Sequence, residues 1–293
     1  MQALFTKLKQ ILMHKITISL EDQFKIWNEY IRDKNDESNK IGYNAIWQQM
    51  LAITWNLAAY KAYIQIINSP SESNLKNTIF RNAFKDNYYI SQSIRIRKLL
   101  ILNNKHTQKD YSLASLWEDI GNFQYPPKDL INIYNSSNDA STKKSLTIDR
   151  GINIITQTFV NNVIDSRHNK IKKSIVNKIN KLLLLDNNNN LKNLYNFANK
   201  YIAHASKYDD RQGFIETINS KMIEQAIKDL TISFSALYFF ITCNQTTTLI
   251  FNNYGDKLND LNESQQRIVH SVFESIKKES EEWILCGRKI INS

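Results

Sequence analysis

Glycine and proline are scarce in this chain, 6 and 3 among 293 residues. A sandwich or barrel needs many tight turns, so so few breakers exclude those architectures and favour long helices. Cysteine is nearly absent. Cys243 and Cys286 lie far apart, with no Cys-x-x-Cys spacing. That excludes a disulfide framework and fits a reducing compartment, so a cytoplasmic location is expected. No apolar run reaches the length of a membrane span. Met1–His14 has Lys7 and Lys9 among its apolar residues, which is unlike a secretory signal and reads as a short amphipathic helix. Several motifs are also missing: a Gly-rich phosphate loop, His-Glu-x-x-His and Gly-x-Ser-x-Gly. The common nucleotide hydrolases, zinc enzymes and serine hydrolases therefore have no motif support, and neither metal nor cofactor is expected.

The hydrophobic share is 42% and the charged share 23%, which is the balance of a folded globular chain. The formal charge is +10, which suits an acidic partner such as nucleic acid. Most of that charge is lysine, the ordinary material of a solvated surface. Arginine is the rarer residue, so each arginine is the more informative.

Apolar residues recur at helical spacing through most of the chain. Leu20–Ile31 reads as a short helix, and the polar stretch 32–39 after it as a boundary. Ile41–Ile67 is apolar on most of its faces and predicts a helix central to its bundle. Tyr88–Leu102 is another helix, with Arg95 and Arg97 set among Ile90, Ile94, Ile96 and Leu99. Arginines so placed either snorkel or pair inside, or else face a phosphate. Ser112 is the expected N-cap of Leu113–Ile120, Gly121 its C′ residue, and Pro127 the opening of the next helix. Leu146–Leu185 reads as one very long helix, or as two joined near 165–169, where Arg167 and His168 form a basic pair. Asp209 and Asp210 sit in a loop with Arg211 and read as a solvated turn. Met222–Ile241 and Asn259–Ile291 are further helices. The expected fold is an all-α antiparallel helical bundle. Residues 1–38 form an N-terminal helical appendage, 39–250 the main helical domain, and 251–293 a C-terminal helix packed on the bundle.

The most informative stretch is 191–205. Leu191, Leu194, Tyr195, Ala198, Tyr201, Ile202 and Ala205 make an apolar stripe. Phe197, Lys200 and His204 line one flank at steps of three and four. A lysine one turn before a histidine can set a cation beside a titratable imidazole. The plainer reading is a boundary histidine that packs the helix end.

Asn199, Lys200, Ala203 and His204 give the pattern Asn-Lys-x-x-Ala-His. This resembles the signature of the HEPN superfamily (higher eukaryotes and prokaryotes nucleotide-binding domains), and more closely that of AbiU-type abortive-infection proteins. Trp47–Ile67 resembles the long first helix of that group. Gln92–Leu100 followed by Tyr111–Leu116 resembles its second block. The likeness spans roughly residues 40–250, and the family's arginine falls on Ala198. The resemblance implies an RNA-targeting protein of phage defence or toxin type, acting as a metal-independent endoribonuclease. His204 would be the acid/base, Asn199 the orienting polar residue and Lys200 the cation. Lys200 is the candidate for the missing arginine's charge, with Arg95, Arg97 or Arg211 as substitutes from elsewhere. The alternative is a non-catalytic helical module that binds RNA, a nucleotide or a protein. On a straight helix Asn199 and His204 lie about 140° apart, so a homodimer pairing two motif helices is expected, with an antitoxin or defence partner open.

Overall fold

The computed structural model describes residues 19–32, 45–69, 78–102, 111–138, 156–203, 218–243, 249, 258 and 260–292. It is an all-α bundle. In chain order the helices are α1 (Leu20–Arg32), α2 (Ile46–Ile67), α3 (Thr78–Leu100), α4 (Leu113–Asn122), α5 (Pro127–Asn138) and α6 (156–163). Then come α7 (Lys173–Leu183), α8 (Asn189–Ala203), α9 (Ser220–Thr242) and α10 (Glu263–Ile291). The only sheet among the described residues is a two-residue hairpin, β1 (Ile164–Asp165) with β2 (Lys170–Ile171). No described helix is long and apolar enough to cross a membrane.

Two long helices share the centre. α2 packs against α1, α3, α9 and α10, while α9 touches these and also α7 and α8. α9 is buried on nearly every side, including Leu230, Phe234, Ala236 and Leu237. Its start is fixed by Asn219, whose Oδ1 accepts from the Met222 N–H at 3.0 Å. α10 begins on a full capping box. Asn262 Oδ1 accepts from the Gln265 N–H at 2.9 Å, and Gln265 Oε1 accepts from the Asn262 N–H at 3.1 Å. Such reciprocal bonds satisfy two of a helix's orphan donors. The α9–α10 crossing is tight at Gly287. A Cβ added there would lie 2.3 Å from the Ile232 carbonyl oxygen. Beside it the Ser235 hydroxyl donates to the Ile284 carbonyl at 2.9 Å.

α1 enters the same core. Trp27 and Ile31 are fully buried, and Phe24 lies 5.7 Å from the Tyr134 ring, edge on. Tyr134 in turn donates its hydroxyl to the Phe240 carbonyl at 2.5 Å. That bond satisfies the polar end of a fully buried aromatic.

One local expectation is settled and another needs correction. Of the two readings across 146–185 the second holds: α6 ends at 163, α7 begins at Lys173, and the hairpin around 165–169 joins them. Asp165 forces the turn. Its Oδ1 accepts from the Arg167 N–H at 3.0 Å, its carbonyl accepts from the His168 N–H at 3.1 Å, and Asn169 takes a left-handed φ of 52°. Ile164 and Ile171 sit seven apart, a helical interval, yet they are cross-strand partners that both reach the core. Gly121 is not a C′ residue, since α4 runs through it to Asn122. The helix stops where Phe123 turns extended, its ring 5.6 Å from Trp27 and 5.3 Å from Tyr125. Ser112 does cap α4, accepting from the Ser115 N–H at 3.1 Å.

Candidate functional site

α8 carries the motif, and its first turn is anchored from outside the helix. Asn188 Oδ1 accepts from the Leu191 N–H at 3.1 Å. The Asn188 amide donates to the Leu182 carbonyl at 2.9 Å and to Asp229 Oδ2 at 2.7 Å. Gln225 donates to the other carboxylate oxygen at 2.8 Å. Asp229 is buried, and burial pushes its carboxyl above the ordinary carboxylate range; the Asn188 and Gln225 amides oppose that shift. α9 thus fixes the start of the motif helix through one side chain.

Along α8, Leu191, Leu194, Phe197 and Ala198 are buried, Tyr195 and Asn199 half-buried, and Lys200 exposed. Ala198, at the middle of the stripe, is wholly buried. An uncompensated cation there would carry a large desolvation cost. An arginine reaches this face of α8 from the neighbouring helix. α3 packs along α8. Ile96, Leu99 and Leu100 hold α3 in the core and leave Arg97 at the boundary. Its Nε donates to Asn199 Oδ1 in a short hydrogen bond. Its guanidinium carbon sits over the Tyr195 ring, 5.9 Å from the centroid. Tyr195 and Asn199 are one turn apart, so they hold the guanidinium from two points on one face.

That grip uses the Nε edge and one planar face. A guanidinium has five N–H donors in a fixed fork. The four on the terminal nitrogens have no protein partner among the described residues. A planar cation held this way can take a phosphate bidentately. An amide and a guanidinium can bind and polarise a phosphodiester, but moving a proton requires a titratable group.

The other candidates are placed as follows. Arg95 is exposed, two residues before Arg97, and so about 200° round α3; it does not join the cluster. His204 follows directly after the last residue of α8 and, like Arg211, Asp209 and Asp210, lies outside the described residues. Arg167 and His168 belong to the hairpin turn, where His168 Nδ1 lies 2.9 Å from Asp165 Oδ2. That bond, with the Arg167 N–H, holds the Asp165 carboxyl below its usual range. Among the described residues no group of three His, Cys, Asp or Glu is placed to hold a metal ion. Two residues went unrecognised in the sequence. Tyr195 reads as one more member of the apolar stripe, although its spacing of four from Asn199 was a signal. Asn188 reads as loop, although an Asn just before an apolar-periodic run marks an N-cap.

Comparison of the chain with protein-family models, with curated proteins and with solved structures gave no match.

Proposed function

We propose that this chain is a HEPN-like RNA-targeting protein of phage-defence or toxin type, and that Arg97 takes the part of the arginine absent at Ala198. One observation carries the reading: Arg97 is clamped by Asn199 and Tyr195 of the motif helix, with its terminal nitrogens unengaged by the described residues. The +10 net charge suits a polyanionic partner.

On this reading the chemistry uses the substrate's own 2′-hydroxyl. His204 takes the hydroxyl proton, the oxygen attacks the adjacent phosphorus, and the P–O5′ bond breaks. The 5′-oxygen leaves with a proton from water, and the His204 imidazolium gives the proton it took back to solvent, so the products are a 2′,3′-cyclic phosphate and a 5′-hydroxyl. Imidazole suits that role because its ordinary pKa lies near neutrality. Arg97 stabilises the charge that develops on the equatorial oxygens. Asn199 is a positioning residue, since its oxygen is occupied by Arg97. Lys200, exposed on the next residue, adds a further cation. A homodimer would set two such helices face to face, and an antitoxin or defence partner would restrain them.

The test is incubation of purified protein with end-labelled single-stranded RNA, with and without chelator. The expected result is chelator-insensitive cleavage with cyclic-phosphate ends, lost in His204→Gln. RNA binding without cleavage, unchanged in His204→Gln, would instead establish a non-catalytic RNA-binding module. Burial of the family's arginine position at Ala198 is the observation that favours that second reading.

A further inference from the structure

A separate cleft of about 380 Å³ lies where α2, α3 and the first turn of α9 meet. Its volume falls in the range of small-molecule sites. Its charged lining is Lys61, Arg81, Lys85 and Glu224. Lys61 and Glu224 satisfy each other at 2.8 Å. Arg81 and Lys85 have no carboxylate partner among the described residues, although they stand four apart on one face of α3. Like charges at that spacing repel. Lys85 is held by the Tyr89 ring, its Nζ 5.7 Å from the centroid. Leu57, Ile64 and Tyr60 give the cleft an apolar wall, and Gln65 adds a polar amide beside it. Ser220, the first residue of the 23-residue helix α9, completes the lining.

We infer that this cleft binds a small phosphomonoester, its phosphate between Arg81 and Lys85 and its organic body against Leu57, Tyr60 and Ile64. The charge count selects the class. With Lys61 and Glu224 neutralising each other, two cations remain. A phosphomonoester carries about −1.5 to −2 at pH 7 and matches them, whereas a carboxylate leaves one unbalanced. The apolar wall selects an organic phosphate over the free ion. The site is distinct from the Arg97 cluster: Lys85 and Arg97 are twelve residues apart on one helix, about 18 Å along its axis. It therefore stands whether or not the chain acts on RNA.

The test is titration calorimetry on the full chain in phosphate-free, low-salt buffer, with phenyl phosphate, inorganic phosphate and benzoate as separate probes. Phenyl phosphate is expected to bind saturably and about tenfold more tightly than either other probe. Arg81→Gln and Lys85→Gln are each expected to weaken it about tenfold or more, while Arg95→Gln, exposed and outside both sites, leaves it unchanged. Arg81 is exposed, so its variant should fold, with circular dichroism as the check. The inference is overturned if phenyl phosphate does not saturate, if benzoate binds as well, or if both cleft variants bind like the wild type. It is also overturned if the cleft variants lose RNA binding while phenyl phosphate never binds, because the cleft is then an RNA contact.

Discussion

Gly287→Ala pits two opposing effects against each other. Gly287 lies inside α10, where alanine is intrinsically better by about 1 kcal/mol. Yet the new Cβ would sit 2.3 Å from the Ile232 carbonyl oxygen and 2.8 Å from Ser235 Cβ, where ordinary contact begins at 3.4 Å. The nearest obstacle is backbone of α9, so no rotamer change relieves it, and α9 and α10 must part by about 1 Å. Overpacking of this kind costs about 1–3 kcal/mol, with a backbone clash at the upper end. Separation also strains the Ser235–Ile284 hydrogen bond, worth about 1 kcal/mol. The clash outweighs the propensity gain, and the expected net loss is about 3 kcal/mol. At about 2–4 °C per kcal/mol for a domain of 150–250 residues, the melting temperature should fall by about 6–12 °C. In urea the midpoint should drop with the slope unchanged. Ser235→Ala should not rescue the variant, since the limiting contact is the Ile232 carbonyl. A Gly287→Ala protein as stable as the wild type would refute the close crossing of α9 and α10.

Other outcomes follow from the same structure. Asn262→Ala removes the capping box of α10 and should cost about 1 kcal/mol in urea unfolding; an unchanged midpoint would show the box to be idle. Asp229 has a raised carboxyl pKa in the folded state, so folding retains a proton there that the unfolded chain gives up near pH 3.8. Its contribution to stability is therefore largest below that pH and declines as pH rises to the folded value. Asp229→Asn, measured by urea unfolding from pH 3.5 to 7, should improve relative to wild type as pH rises, and the opposite trend would contradict the assignment. Tyr195→Ala should weaken RNA binding a few-fold by loosening Arg97. Asn199→Asp should weaken it further, because a carboxylate neutralises the guanidinium; filter binding that ranks the two the other way would contradict the proposed grip.

The helices were legible because few residues could interrupt them and because their apolar spacing is regular. Ser112 and Pro127 marked two of their boundaries correctly. Periodicity failed at Ile164 and Ile171, since seven residues bring a helix back to the same face and a short hairpin does the same. The burial of Ala198 at the middle of its stripe was readable from the helical spacing. The partnership of Arg97 with Asn199 was not, because 102 residues separate them and only the packing of α3 on α8 joins them. Arg95 and Arg97 look equivalent as sequence, yet one turns to solvent and the other to the motif helix. The link from Asp229 through Asn188 to the start of α8 is likewise tertiary and left only the cap residue as a trace.

The central claim is that Arg97, not Arg95, brings the phosphate contact to the motif helix. Binding of labelled single-stranded RNA across a series of salt concentrations tests it directly, with wild type, Arg97→Gln and Arg95→Gln compared. Loss of one phosphate contact on a single strand lowers the slope of log affinity against log salt by about 0.7. Arg97→Gln should show that lower slope and bind about tenfold more weakly at low salt, while Arg95→Gln follows the wild type. Equal affinity and equal slope for Arg97→Gln and wild type would contradict the account.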